Sequence, residues 1–196
     1  MCEEQGMCEK TKQEIIKLSQ ILLEQNYFHF HDTIYIQNEG LAMGAPISSI
    51  FSEIYLQYIE NIKFYDFLIK HQIEGYFRYV DDILIVYKES KTNIHNILDA
   101  FNNTVPNLSF TLEEEVENKI NFLDVTITRN YNSLNFDIYR KLSFTDTIIP
   151  NNSCHPREHK LSAIRYLSNR MKTYNLNPTS TQMEYNKLKQ ILHNNK

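Results

Sequence analysis

Two adjacent carboxylates, Asp81 and Asp82, stand between two strongly apolar runs at residues 76–80 and 83–87. Buried side by side, the two charges would lose their solvation and repel each other. The chain is therefore expected to turn at this point and to bring both side chains to solvent or to a cation. The pattern predicts a β-hairpin with the acidic pair at its turn. A plain turn is the alternative, because Asp is common in turns, where it makes local hydrogen bonds.

The segments around this hairpin alternate between helical and strand-like patterns. Thr11 and Glu14 have capping-box spacing and open a predicted helix over residues 11–26. The other predicted elements are a hairpin over residues 27–37, a small-residue loop at 40–49, helices over 47–67 and 91–103, strands at 108–112, 122–128 and 134–139, a helix from Pro156 to Tyr174, and a last helix from about Thr181. This order predicts an α+β fold.

Charge is divided unevenly along the chain, although the whole chain has a net charge of only −4. Residues 1–128 carry a net −11, while residues 129–196 hold 11 Lys and Arg against 4 Asp and Glu, a net +7. A basic segment suits a phosphate backbone, and an acidic one suits a metal. Charge alone nevertheless favours a simpler interpretation, which is a chance asymmetry of solvated faces.

Cysteine use and hydropathy bear on the compartment. The chain has three cysteines at no metal-type spacing, and its first apolar run, at Ile15, follows Glu3, Glu4 and Glu9. No apolar stretch approaches the length of a membrane span. These features predict an intracellular protein, nuclear or cytoplasmic, without a membrane partner.

Two motifs carry a resemblance to a known family. Tyr79-Val80-Asp81-Asp82, followed by an apolar run, resembles motif C of reverse transcriptases. The loop at residues 40–48, Gly-Leu-Ala-Met-Gly-Ala-Pro-Ile-Ser, resembles their motif B, and its Gly44 lies 37 residues before Asp81. The Gly-x-Ala-Met-Gly sequence of this loop and several other segments are similar to Penelope-like retroelements, and this resemblance runs from about residue 12 to 193.

This resemblance implies a partial right-hand polymerase palm over residues 1–141, with an antiparallel sheet and packed helices, and a truncated, basic, helical thumb over residues 142–196. It implies that Asp81 and Asp82 bind two Mg²⁺ ions for nucleotidyl transfer to a primer 3′-hydroxyl. The implied partners are an RNA template, a DNA primer and dNTP, with the oligomeric state left open. Residues implied to border the template and nucleotide are Met43, Gly44, Ala45, Pro46 and Tyr79; those implied to hold the primer are Arg140, Lys141, Lys160 and Arg165.

The resemblance is incomplete at one essential point. No segment matches motif A, which supplies a further catalytic Asp, and the fingers are absent, so both are expected in a longer parent protein. Asp32, the one Asp before Gly40, lies at a predicted hairpin tip whose surroundings do not match motif A. The isolated chain is therefore expected to be inactive. The alternative is a catalytically inactive remnant that at most binds nucleic acid; a phosphoacceptor domain is disfavoured, because it needs alternating parallel strands and helices.

Four further expectations concern supporting residues. Asp124 is predicted to be a structural acid that caps a turn or pairs with a base, although it falls inside an apolar strand pattern. Arg170 is predicted to be a plain surface charge, because it points away from the arc that Arg157, Lys160, Arg165 and Lys172 share on their helix. The Cys154–His155–His159 region is predicted to be an N-terminal helix cap rather than a zinc site, which needs more ligands at defined spacings. Glu113, Glu114, Glu115 and Glu117 are predicted to form an exposed hairpin face.

Overall fold

The computed structural model describes residues 8–195, so Cys2 lies outside the described part of the chain. The described residues form a mixed fold of helices and three small antiparallel sheets, which confirms the predicted α+β class at this level. The chain divides into two compact units, one ending at His71 and one beginning at Gln72. The predicted boundary between residues 141 and 142 lies inside the second unit.

The first unit begins with helix α1 (Glu9–Glu24) and a hairpin of strands β1 (Tyr27–Phe30) and β2 (Thr33–Ile36). His31 and Asp32 form the two-residue tip with φ of 44° and 59°, the sign pattern of a type I′ turn that suits a tight hairpin. The predicted hairpin is confirmed. Apolar residues do repeat along α1, yet none of its sixteen residues is buried.

The predicted capping box at the start of α1 is wrong. The helix begins at Glu9, and Cys8 occupies the N-cap position without a side-chain cap. The Lys12 N–H already donates to the Cys8 carbonyl at 3.1 Å, so Thr11 lies within the first turn. An ion pair between Lys12 Nζ and Glu9 Oε1, at 2.9 Å, spans that turn instead.

A long helical rod follows the small-residue loop and contains a π-helical segment. It consists of α2 (Ser48–Ile59), the π-helical residues Glu60–Phe64, and α3 (Tyr65–Lys70), in agreement with the helix predicted over residues 47–67. The Tyr65 N–H donates to the Glu60 carbonyl, the i to i+5 bond that defines the wider turn. Because five residues complete about one such turn, Ile59 and Phe64 reach the same face, and both are buried.

The second unit opens with hairpin strands β3 (Gly75–Tyr79) and β4 (Asp82–Val86) and then helix α4 (Ile94–Thr104). Asn93 caps α4, because its Oδ1 accepts a hydrogen bond from the His95 N–H at 2.8 Å. That cap explains why the helix begins three residues later than predicted. Ile97 and Phe101 on its apolar face are buried, as the periodicity predicts.

The strand predicted at residues 108–112 does not form. The side chain of Asn102 takes both backbone groups of Phe110: its Oδ1 accepts from the N–H at 2.7 Å and its Nδ2 donates to the carbonyl at 3.2 Å. The Phe110 ring packs edge-on to Phe101 at 5.2 Å. An amide side chain therefore replaces the neighbouring strand that the apolar alternation suggested.

The strand predicted over residues 122–128 is a tight hairpin instead. Strands β5 (Lys119–Phe122) and β6 (Val125–Arg129) pair across a two-residue turn, and β7 (Leu134–Ile138) completes an antiparallel sheet in the order β5-β6-β7. Leu123 enters the turn at a φ of 54°, so Asp124 lies at the hairpin tip rather than within a strand. The glutamates at positions 113, 114, 115 and 117 are exposed as predicted, although none of them lies in a strand and Glu117 lies in a turn.

Two helices, α5 (Arg157–Thr173) and α6 (Pro178–Asn194), close the second unit. The start of α5 is confirmed to within a residue, with Pro156 as N-cap, while α6 begins before the predicted Thr181 because Asn177 caps it. In the connection between them, Leu176 forms a parallel bridge with Phe136 of β7.

One face of α6 is fixed by a ladder of polar contacts to residues 137–148. Ser180 bonds Asp137, Glu184 pairs with Arg140, and Lys187 pairs with Asp146, at positions that recur once per helical turn. Ile191 continues the same face and is buried. Residues on both sides of position 141 therefore belong to one packed structure.

Candidate functional site

The acidic pair lies at the predicted hairpin turn. Strands β3 and β4 pair with Tyr79 opposite Asp82, so Val80 and Asp81 form the two-residue tip, and Asp82 begins β4. Tyr79, Asp81 and Asp82 are all exposed. Cross-strand pairing of the five residues on each side thus presents both carboxylates to solvent from one end of a regular hairpin.

Val80 holds an unusual backbone conformation at this tip. Its φ is 55°, whereas that of Asp81 is not positive, the sign pattern of a type II′ turn that normally has Gly at this position. A β-branched residue in the left-handed region is sterically strained. The Val80 carbonyl accepts a hydrogen bond from Arg78 Nη1 at 3.0 Å. Strained residues of this kind occur at functional sites, where the surrounding structure enforces them.

Replacing Val80 with glycine should raise the free energy of unfolding by about 1 kcal/mol, because the strain disappears while little buried surface is lost. Urea unfolding measures the effect. The matched control is Val86→Gly in β4, where glycine only weakens a strand and should destabilise the fold. A Val80→Gly variant that is destabilised as much as Val86→Gly would contradict a strained turn.

The two exposed carboxylates are oxygen ligands of the kind that Mg²⁺ takes in proteins. Among residues 8–195, neither carboxylate has a hydrogen-bond or ion-pair partner. No set of three or more His, Cys, Asp or Glu side chains within that range could hold a metal ion. Mg²⁺ typically takes one or two carboxylates and completes its shell with water and phosphate oxygens. Asp81 and Asp82 fit that partial role and no larger one.

The small-residue loop belongs to the first unit and is shaped by its own hydrogen bonds. The Ala45 N–H donates to the Ala42 carbonyl at 3.2 Å, and Ser48 Oγ donates to the same carbonyl at 2.7 Å. Gly44 has a φ of 90°, a conformation that L side chains rarely adopt. A Cβ at this position would have no heavy atom within 4 Å apart from those of its chain neighbours, so backbone conformation rather than crowding requires glycine there. Met43 is fully exposed, and Pro46 follows Ala45 just before α2.

The basic residues assigned to the primer lie in the second unit, most of them with partners. Both terminal nitrogens of Arg140 donate to the Glu184 carboxylate, and these bonds, ahead of the opposing effect of burial, raise the pKa of Arg140. Lys160 Nζ donates to the Asn151 carbonyl at 2.8 Å, and Arg165 pairs with Glu158 at 2.6 Å on the exposed surface. Lys141 is exposed. A phosphate at Arg140 would have to displace Glu184.

Arg170 is buried, so the prediction of a plain surface charge is wrong. Only 7% of the residue is exposed, and its guanidinium carbon lies 5.4 Å from the Tyr166 ring centroid and 5.8 Å from that of Tyr174. Its Nη2 donates to the Asp124 and Tyr139 carbonyls at 3.4 Å each. Because Arg170 points away from the exposed basic arc of α5, it points into the protein.

Asp124 has the structural role that its sequence context predicted. At the tip of the β5–β6 turn, its Oδ2 accepts a hydrogen bond from the Tyr166 hydroxyl at 2.9 Å and lies 3.8 Å from Arg170 Nε. The acid thus pairs with a nearby base and ties a hairpin tip to α5. The spacing of Tyr166, Arg170 and Tyr174, four residues apart on one helix face, is a sequence signal that could have identified this cluster.

The hydrogen bond between Tyr166 and Asp124 predicts a pH effect. Burial first, and this bond second, raise the pKa of Tyr166 above its ordinary 10.0. A raised folded-state pKa gives a stabilisation that is complete below pH 10 and is lost as the pH rises through the folded-state value. In urea unfolding at several alkaline pH values, wild type should lose stability more steeply than Tyr166→Phe. Equal slopes would contradict this role.

The region around Cys154 forms the approach to α5. His155 Nδ1 lies 3.1 Å from Ser153 Oγ, and Pro156 takes the N-cap position without a side-chain cap bond. The absence of a metal-binding group of three within residues 8–195 extends to Cys154, His155 and His159. The predicted helix cap is wrong: Cys154 and His155 precede α5, His159 lies in its first turn, and no side chain caps the helix.

Comparison with known proteins bears on the C-terminal quarter of the chain. Residues 147–196, which include α5 and α6, are similar to the model of the animal helix-turn-helix domain. No curated protein and no solved structure matches the chain. None of the helices within residues 8–195 has the length and hydropathy needed to cross a membrane.

Proposed function

We propose that this chain is the part of a Penelope-like reverse transcriptase that carries the Tyr-Val-Asp-Asp hairpin and a thumb-like helical region. The observation that carries the proposal is the strained two-residue turn that presents Asp81 and Asp82 as exposed carboxylates without partners in the described chain. A β-branched residue is unfavourable in the left-handed region, and strained residues of this kind are concentrated at functional sites.

The proposed chemistry assigns each group a limited task. Asp81 binds the divalent cation, and Asp82 supports it. Bound Mg²⁺ would activate the primer 3′-hydroxyl and stabilise the leaving pyrophosphate. The loop at Gly44, Ala45 and Pro46 would border the nascent base pair. Because the sequence has no segment that resembles motif A, the transfer reaction itself is proposed for a longer parent protein.

The cation site can be tested on the chain itself. Mn²⁺ substitutes for Mg²⁺ and broadens the NMR signals of nearby residues. We expect the signals of residues 79–83 to broaden at low Mn²⁺ and to be protected in the Asp81→Asn/Asp82→Asn variant. Asp32→Asn is a matched control, because Asp32 is also an exposed acid at a hairpin tip. Broadening of residues 79–83 that persists without both carboxylates would refute the site.

The reaction requires a separate assay. In primer extension on an RNA template, the isolated chain and its Asp81→Ala variant should both fail to incorporate nucleotides. Incorporation that disappears in Asp81→Ala would mean that another acid of this chain replaces motif A. In a parent protein that contains motif A, activity retained after Asp81→Ala would exclude the proposed role of Asp81.

A nucleic-acid-binding protein without catalysis is the second candidate. Two observations favour it: the similarity of residues 147–196 to a helix-turn-helix domain, and the net charge of +7 over residues 129–196. Such a protein would bind an RNA–DNA hybrid with an affinity that falls as salt rises. Salt-dependent binding without Mn²⁺ binding at residues 79–83 would favour this candidate over the first.

A further inference from the structure

A groove of about 660 Å³ runs along the C-terminal half of α5. Its lining includes Arg165, Tyr166, Asn169, Lys172 and Tyr174, and none of the described residues that line it is acidic. The groove is open to solvent along its length. The groove therefore combines the exposed cations Arg165 and Lys172, the buried guanidinium of Arg170, an amide and two aromatic rings on one open surface.

The aromatic side of the groove is held in place before any ligand arrives. Arg170 is stacked between the rings of Tyr166 and Tyr174, and the Tyr166 hydroxyl donates a hydrogen bond to Asp124 Oδ2 at 2.9 Å. Tyr166 nevertheless remains 53% exposed. A ring that is fixed by partners on one side and exposed on the other is a ready surface for base stacking, because little ordering remains to be lost.

The cationic side of the groove is available to an anion. Lys172 is exposed and has no ion pair with any residue that the structure describes. Arg165 pairs with Glu158, but both side chains are about two-thirds exposed, and such surface pairs contribute little. A phosphate can therefore take the place of Glu158 at small cost. Asn169 adds an exposed amide between the two cations.

We propose that this groove binds a short stretch of single-stranded nucleic acid, with one base stacked on Tyr166 and phosphates on Lys172 and Arg165. A single strand fits better than a duplex, because a base reaches an aromatic ring only when it has left its own stack. DNA and RNA strands share this chemistry. The proposal rests on the nucleic-acid binding that both candidate functions include.

Fluorescence anisotropy with a labelled oligothymidylate of about ten nucleotides tests the groove, since single-strand sites span roughly 4–16 nucleotides. Tyr166→Leu should weaken binding about five- to 150-fold, the usual effect of losing one stacked base. Tyr166→Phe keeps the ring and should bind nearly as wild type does, which separates stacking from the hydroxyl's structural role. Lys172→Gln should lower the salt slope by about 0.7, the contribution of one phosphate contact on a single strand.

Helix α6 offers a matched control pair. Lys189 Nζ lies 4.4 Å from the Tyr185 ring centroid, and both residues are exposed and outside the groove. Tyr185→Leu and Lys189→Gln should leave affinity and salt slope close to wild type. Equal losses of affinity in the α5 and α6 variants would indicate diffuse electrostatic binding rather than binding in the groove. Failure of the chain to bind either oligothymidylate or oligouridylate would also overturn the proposal.

Binding of a single strand in the groove should be independent of the acidic β3–β4 hairpin. The Asp81→Asn/Asp82→Asn variant should bind the strand as wild type does, because neither residue lines the groove. Intact Mn²⁺ binding with no effect of Tyr166→Leu would refute the groove and leave the catalytic assignment in place. The reverse pattern would refute the catalytic assignment and support the groove.

Discussion

Replacing Arg170 with alanine should lower the free energy of unfolding by about 3 kcal/mol. The substitution removes a buried guanidinium from between two tyrosine rings and leaves the Asp124 and Tyr139 carbonyls without their donor. It also removes the cation nearest the Asp124 carboxylate, which is partly buried. Loss of a partner from a buried ionic cluster is among the more costly point changes. Chemical denaturation at neutral pH measures it.

Arg165 provides the control for this prediction. It is an arginine of the same helix whose ion-pair partner, Glu158, is exposed, so Arg165→Ala should change the free energy of unfolding by less than about 0.5 kcal/mol. Similar losses for the two alanine variants would mean that helix propensity or net charge, rather than the buried cluster, determines the effect.

Replacing Glu184 with alanine should lower the free energy of unfolding by about 2 kcal/mol. The change leaves Arg140 partly buried without its carboxylate, and Arg140 Nε already has no hydrogen-bond partner. The side chains of Arg140 and Glu184 are only 19% and 15% exposed, so solvent screens the pair weakly, though not as little as in a dry core. The measurement is again denaturant unfolding.

A double-mutant cycle separates the ion pair from other effects of truncation. The Arg140→Ala/Glu184→Ala variant should be less destabilised than the sum of the two single variants, because neither charge is then left alone. Strict additivity would show that the two side chains do not stabilise each other.

If Arg140 also binds primer phosphate, Glu184→Ala should strengthen nucleic-acid binding, because it frees the guanidinium.

Local patterns in the sequence were sufficient to predict several elements. The acidic pair between apolar runs located the Tyr79–Asp82 turn, and alternation located the hairpin tipped by His31 and Asp32. The 3.6-residue period located α4 and the helix that contains Ile59 and Phe64. In each case the residues that decide the conformation are neighbours along the chain, so the sequence alone holds the needed information.

The misplaced elements depend on partners that lie outside the segment itself. Residues 108–112 lose their predicted strand to an amide on α4, and the burial of Arg170 depends on a hairpin tip more than forty residues earlier. No periodicity within a segment reports such a partner. Leu123 shows a further limit: an apolar residue with positive φ made a tight turn resemble a continuous strand.

The candidate site was predictable in part. The sequence identified the two acids of the β3–β4 turn, but it gave no sign that Val80 is strained or that Arg140 is ion-paired with Glu184. The groove beside Tyr166 could not be predicted from the sequence, because its aromatic residues, taken singly, are indistinguishable from ordinary helix residues. The arrangement becomes visible only when the burial of Arg170 between them is known.

The π-helical residues Glu60–Phe64 have a consequence for insertions and deletions in this rod. The widened turn holds one residue more than an α-helix would need to place Ile59 and Phe64 on one face. Removing Asn61 would leave the two side chains four positions apart, which is the same-face spacing of an ordinary α-helix. The rod should therefore accept the loss of a residue here, whereas inside α2 the same deletion would turn its buried side outward. Length variation among natural relatives should accordingly concentrate within these five positions.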